Sequence, residues 1–241
     1  MVSFSPAKQL DTETFDAEIS DEIAANRPDA RSNANSDNSQ GQLIVISGPS
    51  GVGKGTLIKR LRQQRPDLQL SVSATTRQPR SNEVDGEHYY FVSKEQFQKM
   101  VERGDLLEWA EFAGNCYGTP KAPIEIAIAQ GKRVILEIEL LGARQVRENF
   151  PAAKQIFIAP PDEKALEERI RSRGQETEAA IAKRLQQAKV ELAAAHEFDV
   201  KIVNDSLENA LSEIETAIDG TTTTRTITTK TTTTERTTDI V

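Results

Sequence analysis

The residues with the clearest chemical meaning form one glycine-rich segment: Gly48, Pro49, Ser50, Gly51, Val52, Gly53, Lys54, Gly55 and Thr56. Their spacing matches G-x-x-x-x-G-K, in which backbone N–H groups cradle phosphate oxygens and the lysine charge falls on the β- and γ-phosphates. An apolar run at residues 42–47 precedes the segment and a helical pattern at residues 54–64 follows it. This strand–loop–helix context disfavours the alternative of a purely structural glycine turn. The segment therefore predicts binding of a nucleoside triphosphate.

The residue after the lysine departs from the general pattern. Gly55 stands where a serine or threonine hydroxyl would normally ligate Mg²⁺, and Thr56 offers its hydroxyl one position later. Thr56 is therefore the candidate metal ligand.

A second charged constellation lies downstream. Arg77 and Arg80 are three positions apart with Pro79 between them. Two arginines on a stiff segment suit a doubly charged phosphate, because each guanidinium can form paired hydrogen bonds with its oxygens. This segment is the candidate site for a second, phosphate-bearing substrate.

The chain resembles the guanylate kinase family over about residues 42–218. Five motifs occur in order: G-P-S-G-x-G-K, S-x-T-T-R-x-P-R-x-x-E-x-x-G-x-x-Y-x-F, E-W-A-x-F, Y-G-T and R-G-x-E-T. Five ordered matches are far more specific than any one of them. The resemblance implies transfer of the γ-phosphoryl group of ATP to GMP, which gives ADP and GDP.

The resemblance also implies a GMP site. Glu108 would accept hydrogen bonds from the guanine N1–H and 2-amino group, and Ser73 and Thr119 would contact the other guanine edge atoms. The carboxylates Glu137 and Glu139 would lie beside the nucleotide at the end of a strand. The residues implied to bind GMP are Ser73, Arg77, Arg80, Tyr89, Glu108, Tyr117, Thr119 and Glu139.

Further roles are implied on the ATP side. Arg169, Arg173 and Arg184 would close from a lid onto the transferring phosphoryl group, together with the catalytic residues Lys54 and Arg77. Asn204 would border the adenine, and Mg²⁺ would accompany ATP. An alternative for the three lid arginines is a surface role, since they lie on or beside a charged helical segment.

The chain departs from the family pattern at a few positions. Glu137-Ile138-Glu139 stands where the family often has D-I-D, and Thr119 stands where it often has serine. Both changes keep the functional groups. Cys116 replaces a frequent tyrosine, and nothing in the sequence supplies the base that a catalytic thiol needs.

Strands and helices alternate through residues 41–219. Apolar runs at 42–47, 133–140, 153–159 and 199–204 predict strands, and the segments after them favour helices, as does the stretch 177–195. Such alternation predicts an α/β fold with helices on both faces of a parallel sheet. With the resemblance, the expected architecture is a P-loop three-layer fold with a central parallel sheet, a small mixed GMP-binding subdomain at about 73–131 and a helical lid at about 170–180.

The two ends of the chain have a different composition. Residues 1–40 are acidic and poor in apolar side chains, and residues 220–241 are rich in threonine, so we expect both to be disordered. One cysteine and the absence of a long apolar run predict a cytoplasmic protein that does not enter a membrane. A formal net charge of -7 argues against nucleic-acid binding, and no obligate protein partner is evident.

Two other functions remain possible on the sequence. Scaffold proteins contain guanylate-kinase-like domains that bind partners without catalysis, but both the phosphate loop and the acceptor arginines are intact here. An enzyme acting on a different monophosphate or on a sugar phosphate is the second alternative. The segments E-W-A-x-F and Y-G-T argue against it.

Overall fold

The computed structural model of the chain describes residues 41–172 and 177–220. The expectations for residues 1–40, for nearly all of the threonine-rich end, for part of the lid and for Arg173 fall outside the described residues.

Nine strands lie in the described part of the chain. They are β1 (Gln42–Ser47), β2 (Leu68–Leu70), β3 (Ser73–Thr75), β4 (Tyr89–Phe91), β5 (Leu106–Phe112), β6 (Asn115–Pro120), β7 (Arg133–Glu137), β8 (Lys154–Ala159) and β9 (Val200–Val203). The α-helices there are α1 (Lys54–Gln64), α2 (Lys94–Arg103), α3 (Lys121–Ala129), α4 (Leu140–Asn149), α5 (Glu163–Ser172), α6 (Glu178–Ala193) and α7 (Leu207–Ile218). A 3₁₀ turn, Ala194–Glu197, follows α6.

The central sheet is parallel, in the order β2-β7-β1-β8-β9. β1 lies in its middle, and Ile46 of β1 pairs with Glu137 of β7. The carboxyl ends of parallel strands share one edge, so the loop after β1 and the carboxylate that ends β7 are neighbours at that edge.

Two apolar layers cover this sheet. Leu43 and Val45 of β1 pack with residues of α3 and α4, whereas Ile44 and Ile46 pack with residues of α1 and α7. Successive strand residues point to opposite faces, which explains why residues 43–46 are apolar without interruption. The predicted three-layer α/β fold is confirmed.

A second sheet contains both parallel and antiparallel pairs in the order β4-β3-β6-β5. Its small core joins Ala74 and Leu106 to Phe97 and Met100 of α2. Ser93 starts α2 with a capping box, in which its hydroxyl accepts from the backbone of Gln96. β5 lies at the edge of this sheet, a position that matters for the site.

The sequence prediction was wrong at one strand end. The apolar run 133–140 was expected to be a single strand, but β7 ends at Glu137, and α4 begins at Leu140 with Glu139 as its extended N-cap residue. The run extends to residue 140 because Leu140, the first residue of α4, is one of the buried positions of that helix. Apolarity alone could not distinguish a buried strand from the first turn of a buried helix.

None of the helices in residues 41–172 and 177–220 is long and apolar enough to cross a membrane.

Candidate active site

The phosphate loop depends on glycines with unusual backbone angles. Gly48 has a φ of 145°, and a Cβ there would lie 2.2 Å from the carbonyl oxygen of Ile158. Gly53 has a φ of 104° and serves as the N-cap residue of α1. L-residues with a side chain rarely adopt these angles, so the loop requires glycine at both places.

The loop leads directly into the amino end of α1. No acidic residue lies in the first turn of this helix, which leaves its positive end available to an anion. The ammonium group of Lys54 folds back over the loop and donates to the carbonyl oxygens of Gly48 and Pro49. Thr56 is exposed in the first turn. The arrangement suits a polyphosphate.

Glu137 connects the phosphate loop to the neighbouring cleft. Partial enclosure of its carboxylate raises the pKa, and the positive charge of Lys54 opposes that rise. Glu139 lies two residues later, in the same cleft. The cleft therefore begins near Lys54, whose positive charge would offset the negative charge of the phosphates.

Two of the predicted lid arginines reach the phosphate loop, in different ways. Arg184 on α6 donates to the hydroxyl of Ser50 at 2.7 Å. Arg169 on α5 donates to the carbonyl oxygens of Val52 and Asn204 at 3.1 and 3.0 Å. The amide of Asn204 also donates to Val52, at 2.8 Å. Arg169 thus supports the joint between the loop and β9 in this structure, and its approach to a phosphoryl group would require these bonds to break.

The cleft that contains Glu137 and Glu139 is called the second cleft here, to distinguish it from the phosphate loop. It lies between the small sheet and the carboxyl edge of β7, and has a volume of about 380 Å³. Most of the side chains expected to contact GMP line it, which brings together residues from five separate stretches of chain. The residues of the expected site that line it are Ser73, Tyr89, Glu108, Tyr117, Glu137 and Glu139.

Glu108 is the most buried carboxylate of this cleft, with 8% of its surface exposed. Burial raises its pKa, and a hydrogen bond from Thr119 partly offsets the rise. The Thr119 hydroxyl donates to Oε1 at 2.6 Å. Because a hydroxyl has a single proton to donate, Thr119 orients the carboxylate here and would have to rotate to donate to a base. A buried carboxylate without a cationic partner in the described chain suits a ligand that brings paired N–H donors.

The expected phosphate clamp is already held in place. Both terminal nitrogens of Arg77 donate to Glu83, at 3.0 and 2.9 Å, and the backbone N–H of Arg80 donates to the same carboxylate at 2.8 Å. The guanidinium also lies 5.4 Å from the centre of the Tyr89 ring. The side chain of Arg80 is exposed.

Reasoning from the sequence did not assign a role to Glu83, although the glutamate stands within the quoted motif around Arg77. It also missed the helix α4 residues that hold β5, because that packing brings together residues 107–109 and 142–149. No local signal could have revealed these contacts.

Comparisons with known proteins show the family to which the chain belongs. The family model for guanylate kinase matches residues 40–221. A guanylate kinase from Thermosynechococcus vestitus is 66% identical over 178 residues, covering 74% of this chain and 93% of the relative. One from Synechocystis sp. is 59% identical, covering 73% and 92%. The crystal structure of guanylate kinase from Anaplasma phagocytophilum is 31% identical with a TM-score of 0.59, covering 76% of this chain and 87% of that one.

Proposed function

Because the chain belongs to the guanylate kinase family, whose members transfer a phosphoryl group from ATP to GMP, we propose that the phosphate loop and the adjoining cleft are its active site for this reaction. The products are ADP and GDP, and the reaction serves purine nucleotide metabolism and GMP recycling. The observation that carries the proposal is the buried Glu108, placed in a cleft that begins beside the phosphate-loop lysine.

ATP binds across the phosphate loop and its neighbours. The backbone of residues 48–56 surrounds the phosphates, and Lys54 places its charge on the β- and γ-phosphates. Asn204 borders the adenine, and its side-chain amide also donates to the carbonyl oxygen of Val52 in the phosphate loop. Arg184 reaches the triphosphate from its position against Ser50, while Arg173 joins it from the lid and Arg169 from α5.

Thr56 fits the requirement for Mg²⁺. Mg²⁺ in kinase sites keeps several waters and takes few protein ligands besides the phosphates. One exposed hydroxyl at the start of α1 is consistent with that pattern. The described residues contain no group of three or more histidine, cysteine, aspartate or glutamate side chains that could hold a metal by itself. The ion would neutralise charge on the β- and γ-phosphates.

GMP occupies the second cleft. Glu108 accepts from N1–H and the 2-amino group, with Ser73 and Thr119 near the rest of the guanine edge. Its phosphate contacts the clamp residues Arg77, Arg80, Tyr89 and Tyr117, and Glu139 lies beside the nucleotide. Glu83 positions Arg77 before GMP arrives.

Transfer requires alignment and charge stabilisation more than covalent chemistry. The GMP phosphate oxygen is already an anionic nucleophile at neutral pH, so no general base is required. Lys54 and the arginines stabilise charge on the migrating phosphoryl group. Closure of the lid over both nucleotides would exclude water and so prevent wasteful hydrolysis.

A coupled assay of ADP release with GMP, AMP, CMP and UMP tests the function. With ATP as donor, we expect rapid ADP release when GMP is the acceptor and not when AMP, CMP or UMP is. Comparable turnover with another monophosphate would indicate a different acceptor, and no turnover with any of them would favour the non-catalytic binding role.

Replacing Arg77 or Arg80 by alanine is expected to raise the KM for GMP while leaving the KM for ATP nearly unchanged. Hydrogen bonds to charged groups contribute about 1.5–3 kcal/mol each, which corresponds to a rise of roughly ten-fold or more. Arg60→Ala, an exposed arginine on α1, is the matched control. Equal effects on both nucleotides would contradict the assignment of the clamp to GMP.

Lowering the pH should reduce kcat/KM for GMP, because it protonates Glu108. Only the ionised carboxylate accepts two N–H groups, and its pKa lies above the ordinary value of 4.5. Loss of kcat/KM for GMP should therefore begin at a higher pH than for an exposed glutamate. The GMP phosphate also titrates, so the measurement is the ratio of wild type to Glu108→Gln across pH. A ratio that stays constant from neutral pH down to pH 4.5 would exclude this titration.

We also propose residues 41–219 as the catalytic domain, with the GMP-binding part at about 73–131 and the lid at about 170–180, in a cytoplasmic protein. A chain truncated to residues 41–219 is expected to keep the Tm and kcat of the full protein. A large fall in Tm would show that a removed end packs on the domain.

A further inference from the structure

One helix of the central domain holds the strand that carries Glu108. The side chain of Gln145 on α4 accepts from the backbone N–H of Trp109 at 3.0 Å and donates to the carbonyl oxygen of the same residue at 2.9 Å. The amide of Asn149 donates to the carbonyl oxygen of Leu107 at 2.8 Å. The residues on both sides of Glu108 are thus bound to α4.

The position of β5 explains these contacts. An edge strand presents backbone groups that no neighbouring strand pairs. Gln145 supplies both a donor and an acceptor, and so satisfies Trp109 as a strand would. Because residues three and four apart share one helix face, Gly142, Gln145 and Asn149 present a continuous surface to β5.

Gly142 meets the carboxylate of Glu108 itself. A Cβ at this position would lie 2.8 Å from Oε2 of Glu108 and 3.3 Å from the terminal carbon of Ile138. Thr119 holds the other oxygen, Oε1. The carboxylate therefore lies between a hydroxyl and a helix position that lacks a side chain.

We propose that Gly142 is a specificity-determining residue, and that Gln145 and Asn149 are positioning residues that fix β5 for base recognition. The inference rests on the proposed function, because it assumes that Glu108 reads the guanine. A methyl group at position 142 would push Oε2 away, and the two acceptor oxygens would no longer face the two donors of the base.

Stability and recognition should respond differently to a substitution at this glycine. Alanine is favoured over glycine inside a helix, and the atom that it would displace is the end of a flexible side chain. The fold should therefore tolerate Gly142→Ala, whereas the carboxylate should not keep its orientation. A glycine kept only for close packing would show the opposite result, with a lower Tm and unaltered base preference.

The first experiment compares Gly142→Ala with wild type, and with Glu148→Ala as the control at an exposed position of the same helix. A displacement of about 1 Å in a substrate-positioning group can reduce the rate roughly 10²-fold. We expect kcat/KM for GMP to fall ten- to hundred-fold, with the KM for ATP, the kcat/KM for AMP and the Tm unchanged. A variant with wild-type use of GMP, or one that loses GMP and AMP use equally, would overturn the inference.

A double-mutant cycle with Glu108→Ala tests whether Gly142→Ala acts through the Glu108 carboxylate. Without the carboxylate there is nothing for the methyl group to displace, so Gly142→Ala should change kcat/KM for GMP less than two-fold in that background. An equal loss in both backgrounds would refute action through Glu108. If wild type itself did not prefer GMP to AMP, the proposed function would fail instead, so the two failures are distinguishable.

Gln145→Met provides a second test that does not depend on the glycine. Methionine preserves the length of the side chain but removes both hydrogen bonds to Trp109. We expect a higher KM for GMP, an unchanged KM for ATP and altered emission from Trp109, the single tryptophan of the chain. If Gln145→Met bound GMP as well as wild type does, the contact between Gln145 and β5 would not be what positions Glu108.

Discussion

Replacing Lys54 by alanine is expected to lower kcat with GMP by about 10²–10³-fold, as does removal of a comparable electrostatic donor in other enzymes. Lys54 lies over the phosphate loop, bonded to the carbonyl oxygens of Gly48 and Pro49. On binding of ATP, the ammonium group would exchange these bonds for bonds to phosphate oxygens. In the transition state its charge would offset the negative charge that builds on the β- and γ-phosphates.

The fold should survive this substitution, because Lys54 is the first residue of α1 and takes no part in the apolar core. The measurement is kcat together with the Tm of the variant. Lys59→Ala removes the same charge from an exposed position of the same helix, and should leave kcat unchanged. A near-normal kcat for Lys54→Ala would show that the loop does not bind the reacting phosphates.

Wild type should use GMP in preference to AMP by several orders of magnitude in kcat/KM. Guanine presents its N1–H and 2-amino donors side by side, and an ionised Glu108 accepts both. Adenine presents an N1 lone pair and no 2-amino group, so AMP would leave a buried carboxylate facing an acceptor. Sites that depend on such hydrogen bonds reject the wrong ligand by roughly 10⁴–10⁵-fold.

Glu108→Gln should reduce this preference mainly by weakening the use of GMP. The amide keeps the size of the side chain but has one acceptor oxygen, and its NH₂ group opposes one of the guanine donors. The measurement is kcat/KM for GMP and AMP with wild type, Glu108→Gln and Glu148→Gln, the last altering an exposed carboxylate. If the ratio is unchanged in Glu108→Gln, the carboxylate does not read the base.

Four strands of the central sheet and its phosphate loop were predictable from the sequence, because their signals are local. The fifth strand, β2, has only three residues and was not predicted. β1 and α1 have the predicted bounds, residues 42–47 and 54–64. A strand covered on both faces favours a nearly continuous apolar run, and the loop angles at Gly48 and Gly53 favour glycine. Each of these two features depends on only a few consecutive residues, so it can be recognised in the sequence.

The small sheet and its cleft were less accessible to this reasoning. Its strands β3 and β4 have only three residues each, too few for a periodic pattern to distinguish them from loops. The expected GMP residues came from the family resemblance, and the spacing of the chain alone would have left Glu108 as an ordinary surface carboxylate. The end of β7 was misplaced because helix α4 begins inside the same apolar run.

The sequence by itself thus determined the parallel α/β core, the phosphate loop and, through its motifs, the family. Only the tertiary structure decided how the acceptor side chains are held. Glu83 forms an ion pair with Arg77. Thr119 donates a hydrogen bond to one oxygen of Glu108, and the absence of a side chain at Gly142 leaves space for the other oxygen. The reason is physical: backbone angles and apolar periods follow from neighbouring residues, whereas the burial and orientation of a carboxylate depend on groups brought together from β5, β6 and α4.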